Sequence, residues 1–100
     1  MPIQVPIDRQ CLVAFCRKWR ILEFSLFGSV LRGDFRSDSD IDVLVSFEPD
    51  APWSLLDIVM MKEELKDIFG REVDLVEKKA LRNPFRRRSI LDSYEVIYAA

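Results

Sequence analysis

The sequence predicts an α/β (α+β) domain: a small mixed β-sheet of three to four strands flanked by helices. Three observations carry this. Short runs at residues 23–27, 41–47 and 72–76 have strand character, the middle one (IDVLVSF) being rich in β-branched and aromatic residues. Residues 7–19 and 53–69 repeat apolar side chains at helical spacing. The second of these helices lies between two strands, and such a crossover makes the strands it joins parallel and right-handed.

The first helix follows Pro6 and has Asp8 near its start, with Leu12, Phe15, Cys16 and Trp19 on one stripe. Residues 23–27 alternate well enough for a strand, which Gly28-Ser29 breaks. Residues 29–32 suit a single helical turn before Gly33. The prolines of EPDAP end the strand at 41–47. In the helix at 53–69, Leu55, Val59, Leu65 and Phe69 mark the expected buried stripe, and Gly70 suits its C-terminal cap. Trp53, Leu56, Met60 and Met61 exceed that stripe and read equally as core or as a partner surface. Asn83-Pro84 reads as an N-cap followed by proline in the first turn of a basic helix. Residues 94–98 suit a fourth strand or the end of that helix.

The 100 residues form a single domain, 1–100, with one core and no linker or repeat. The net charge of −2 gives no basic footprint, so nucleic acid is not an expected partner. The chain lacks histidine, which excludes Ser-His and Cys-His catalysis. Its two cysteines, Cys11 and Cys16, fit neither a redox pair nor a zinc site and are expected to be reduced, packed thiols. There is no signal peptide and no apolar run long enough for a bilayer, so a cytoplasmic protein is expected.

The chemistry concentrates in FGSVLRGDFRSDSDIDVLV, residues 27–45. Alternation along a strand puts Asp40 and Asp42 on one face and Ile41, Val43, Val45 and Phe47 on the other. The strand is therefore expected to be buried on one face only. Asp74 interrupts the apolar strand at 72–76 and approaches Asp42 if the two strands pair. Three converging carboxylates raise one another's pKa or demand a cation. Oxygen ligands suit Mg²⁺, which pairs one or two carboxylates with substrate phosphates. Two such ions would activate an attacking oxygen and stabilise a leaving phosphate. Gly28 and Ser29, between a strand and a helical turn, offer backbone N–H groups and a hydroxyl to a phosphate. Together these features describe a nucleoside-triphosphate site.

Bland readings compete. A calcium loop starting at Asp38 fails, because its sixth position is Val43 and its twelfth is Pro49. Arg32-Gly33-Asp34 is an accidental adhesion tripeptide. Arg86-Arg87-Arg88 fits RNA, phosphate or an acidic partner, but a solvated helix face explains it more simply.

Gly28-Ser29, ten intervening residues and then Asp40-Ile41-Asp42 resemble the GS-x10-DxD signature of the DNA polymerase beta-like nucleotidyltransferases. Arg32-Gly33, Ser39-Asp40-Ile41-Asp42 and Glu72-Val73-Asp74-Leu75-Val76 resemble the minimal (MNT) subgroup, and the likeness runs from about residue 24 to 76. The resemblance implies the nucleotidyltransferase fold, with Asp40, Asp42 and Asp74 as catalytic Mg²⁺ ligands and Asp74 as a candidate general base. It implies ATP held at Gly28 and Ser29, with Arg32 and Arg36 as further phosphate contacts. It also implies transfer of AMP to a tyrosine of a HEPN ribonuclease toxin, the chain acting as antitoxin. Neutralisation by binding alone, or transfer to a small molecule such as an antibiotic, are the alternatives. A homo-oligomer stays open.

Overall fold

The computed structural model describes residues 7–28 and 40–100. In chain order they form α1 (Arg9–Lys18), β1 (Ile21–Phe27), β2 (Ile41–Phe47), α2 (Leu55–Phe69), β3 (Val73–Glu77), a short 3₁₀ turn (Lys78–Ala80), α3 (Pro84–Asp92) and β4 (Tyr94–Ala99). The four strands make one mixed sheet in the order β3-β2-β1-β4. β1 runs antiparallel to β2 and to β4, while β2 and β3 are parallel, as the α2 crossover requires. The helical turn expected at 29–32 lies outside the described residues.

Local chemistry sets the helix ends. The Asp8 carboxylate accepts from the backbone N–H groups of Gln10 and Cys11, so α1 starts two residues after the position that periodicity alone marks. α2 starts at a capping box: the Ser54 hydroxyl accepts from the Asp57 N–H, and the Asp57 carboxylate accepts from the Ser54 N–H at 2.9 Å. Gly70, at φ +71°, ends it in the left-handed region. Ser54→Ala removes one half of this cap. It is expected to lower unfolding free energy by about 1 kcal/mol in urea denaturation, with no change in nucleotide chemistry, since the cap lies at the opposite end of α2 from β3.

α1 and α2 cover one face of the sheet. The main core joins Leu12, Phe15, Cys16 and Trp19 of α1 and the turn after it to Phe24, Leu26, Ile41, Val43 and Val45 of the sheet and to Met61, Leu65 and Phe69 of α2. Burial without a partner pushes the Cys16 thiol up to about 12. Cys11, by contrast, is exposed, so only one of the two thiols is packed. Trp53 docks on the same core, its indole N–H donating to the Trp19 carbonyl at 2.8 Å.

Two expectations are corrected. Leu55 and Val59 are exposed, at 86% and 54%, and the buried stripe of α2 is Met61, Leu65 and Phe69. The stripe is rotated about the helix axis: in the first turn it is Ile58, not Leu55, that packs against the core, and Ile58, Met61, Leu65 and Phe69 follow at helical spacing. Of the surplus apolar residues, Met61 is core, while Leu56 and Met60 are exposed.

The second correction concerns β2. Leu44 lies on the face of the two aspartates yet is 1% exposed. It packs with Phe27, Leu81 and Ile90 in a second, smaller core, because α3 covers this face of the sheet. β2 is thus buried on both sides through its middle, and its aspartates stand where that cover ends.

Candidate active site

Each residue of the site is placed by an element already described. The parallel register of β2 and β3 sets Ile41 beside Val73, Asp42 beside Asp74 and Leu44 beside Val76. Side chains directly opposite in a sheet share a face, so Asp42 and Asp74 are neighbours. On the other side of β2, Asp42 pairs with Phe27, the last residue of β1. The chain leaves β1 at Gly28 with φ +76°. This conformation costs an L-residue free energy but is open to glycine. The space where a Gly28 side chain would stand is filled: a Cβ there would overlap Asp42 Oδ2 and lie 3.1 Å from its Cγ. Gly28 is therefore the one residue type that lets the backbone lie against the Asp42 carboxylate.

α3 closes the third side. Asn83 caps it by accepting from the N–H groups of Phe85 and Arg86, Pro84 occupies its first turn, and Ile90 anchors it in the second core. This brings Arg86 Nη2 within 3.9 Å of Asp74 Oδ2, both side chains being about half exposed. A cavity of about 240 Å³ opens between Phe27, Gly28 and Asp42 on the sheet side and Arg86, Ser89 and Ile90 of α3 with its C-cap residue Ser93. Sequence reasoning missed this α3 wall. Part of the signal was present, since residues 86 and 89 recur at helical spacing behind a recognised cap.

Asp40, the residue before β2, is exposed, and no group of three or more potential metal ligands is assembled among the described residues. What the fold brings together is the pair Asp42 and Asp74, with Gly28 against the first and Arg86 beside the second. Ser29, Arg32 and Arg36 lie outside the described residues. A somewhat larger cavity, about 290 Å³, sits at the other end of β2 between Phe47, Trp53, Leu55 and Glu77, and none of the sequence-predicted site residues lines it.

The donor set suits Mg²⁺. Two adjacent carboxylates supply hard oxygen ligands, and Mg²⁺ takes one or two of these and leaves the rest of its shell to phosphate oxygens and water. The closely approached backbone at Gly28 leaves the Asp42 carboxylate room that any side chain would take.

The nucleotidyltransferase-domain family matches residues 8–97. The chain belongs to that family. The protein adenylyltransferase MntA of Thermococcus cleftensis is 37% identical over 81 residues, which are 81% of this chain and 77% of that one. A solved structure described as "putative minimal nucleotidyltransferase" is 36% identical and superposes with a TM-score of 0.69, covering 90% of this chain and 87% of the other. The size and the mixed sheet are thus those of a minimal nucleotidyltransferase, and the chain is a nucleotidyltransferase enzyme. The fold recurs at 16% identity, with a TM-score of 0.64, in a structure of a tri-AMPylated HEPN toxin of Shewanella oneidensis in complex with an MNT antitoxin, over 91% of this chain and 69% of that one. No helix among the described residues is long and apolar enough to cross a membrane.

Proposed function

We propose that the chain is an antitoxin that transfers AMP from ATP to a tyrosine hydroxyl of a HEPN toxin. The observation that carries this reading is the register that seats Asp42 beside Asp74, with Gly28 pressed against Asp42. It is supported by the kinship to a protein adenylyltransferase and by the shared fold with the AMPylated toxin–antitoxin pair.

In this reading Asp40, Asp42 and Asp74 hold Mg²⁺, one ion or two, which supplies positive charge for the triphosphate. Gly28 and Ser29 receive the triphosphate, and Arg32 and Arg36 add phosphate contacts. The acceptor oxygen attacks the α-phosphorus, forming a new P–O bond as the bond to the β-phosphate oxygen breaks and pyrophosphate leaves. The hydroxyl proton passes to a carboxylate, for which Asp74 is the candidate. The whole chain, 1–100, acts as one domain and uses its protein substrate to complete the acceptor side.

The test is direct. The purified chain is incubated with ATP, Mg²⁺ and the product of the neighbouring gene, and intact mass is measured. A gain of one or more AMP masses on the partner is expected. A stable complex with no adduct sinks the catalytic reading and leaves neutralisation by binding.

A further inference from the structure

We propose that the face of α3 bearing Arg86 and Ser89, continued by the C-cap residue Ser93, is a phosphate-binding wall of the nucleotide site, and that Arg86 takes the phosphate charge. This rests on the proposed function and adds to it a residue on an element that the sequence signature does not reach.

The wall is built by packing. Ile90 fixes α3 against Phe27 and Leu44, and Asn83 fixes where the helix begins. Arg86 and Ser89 then fall one turn apart at i and i+3, and with the C-cap residue Ser93 they line one cavity with Gly28 and Asp42. Its two sides have opposite chemistry. The sheet side presents a carboxylate, which only accepts hydrogen bonds when ionised; the helix side presents a guanidinium, which only donates, and two hydroxyls. A phosphate that shares a cation with the carboxylates needs donors on its far side, and the α3 face supplies them. At about 240 Å³ the cavity falls below the roughly 300–1,000 Å³ of a pocket for a whole small-molecule ligand, so it takes part of a nucleotide rather than all of it.

Among the described residues Arg86 is the sole cation lining this cavity. Its neighbours face elsewhere: Arg87 donates to the Lys78 carbonyl at 3.4 Å, and Arg88, largely exposed, extends along the helix toward Asp92. The three consecutive arginines thus have three different surroundings, and only one faces the site. A guanidinium serving as a permanent brace to Asp74 would make the close, forked contact that Arg and carboxylate favour. The 3.9 Å approach between two half-exposed side chains is looser than that contact and leaves the guanidinium within reach of a phosphate.

The full chain is titrated with Mg²⁺·AMP-PNP and separately with adenosine, by calorimetry, for wild type, Arg86→Gln, Arg86→Lys, Arg88→Gln and Asp42→Asn. Arg86→Gln is expected to weaken AMP-PNP binding roughly tenfold or more and to leave adenosine binding unchanged. Arg86→Lys should recover part of the loss, and Arg88→Gln should match wild type. AMP-PNP binding by Arg86→Gln at wild-type strength, with Asp42→Asn weakened, overturns the α3 wall and leaves the nucleotide site standing. An equal loss for adenosine also overturns it, because the phosphates are then not what Arg86 reads. Absence of AMP-PNP binding by wild type, or wild-type binding by Asp42→Asn, removes the nucleotide site itself and the wall with it.

Discussion

Asp42→Asn is expected to lower AMP transfer by about 10²–10³-fold or more, the usual loss when one preorganised charge is removed from a site where charge develops. The substitution keeps the shape of the side chain and deletes its negative charge. Asp42 has no substitute in the register: its neighbour on β3 is Asp74 and its neighbour on β1 is Phe27. Stability should move far less than activity. Like charges directly opposite in a sheet destabilise it, and an amide keeps the shape and hydrogen-bonding capacity of the side chain, so the fold should tolerate the change. Transfer is read by the rate of AMP incorporation into the partner, and stability by the midpoint of thermal unfolding. A variant that transfers AMP at the wild-type rate removes Asp42 from the site, whereas one that fails to fold shows the carboxylate to be structural.

Gly28→Ala carries the second large effect, and it acts through two routes. At φ +76° an alanine pays the left-handed penalty of roughly 1–2 kcal/mol. Its Cβ also has nowhere to go but into the Asp42 carboxylate, which must turn away. A displacement near 1 Å at a catalytic group costs about 10²-fold in rate, so activity should collapse well beyond what lost stability explains. Gly70 provides the control. It has nearly the same backbone angle, φ +71°, yet a Cβ there meets nothing within 4 Å. Gly70→Ala should therefore show a comparable loss of unfolding free energy with AMP transfer intact. If both variants lose stability alike and both keep their activity, the close approach of Gly28 to Asp42 has no catalytic meaning.

These expectations also mark how far the sequence alone could go. The strand at 41–47 was legible to the residue, since its β-branched run is bounded by a charged turn and by Glu48-Pro49. The parallel pairing followed from the length of the crossover, and with it the meeting of Asp42 and Asp74. The cap at Asn83-Pro84 was legible because both residues act locally. What failed depends on tertiary placement. Leu55 and Val59 have helical spacing, but in a helix with apolar residues on several sides spacing alone does not say which side meets the sheet. Leu44 looked like the solvent side of a half-buried strand, and only the fold shows α3 lying over it. The Arg86 run was read by its charge, which is uniform, whereas its role is set by which of three successive directions points at the cavity.

The sheet order has one more consequence. β3 is an edge strand, and its sequence, VDLVE, is otherwise the kind of apolar, β-prone segment that recruits further strands. Asp74, its second residue, and Glu77, its last, put the two charges on that strand. The residue proposed to serve the chemistry therefore also acts as a gatekeeper against edge-to-edge association, and a chain stripped of it trades catalytic loss for a surface that invites self-assembly.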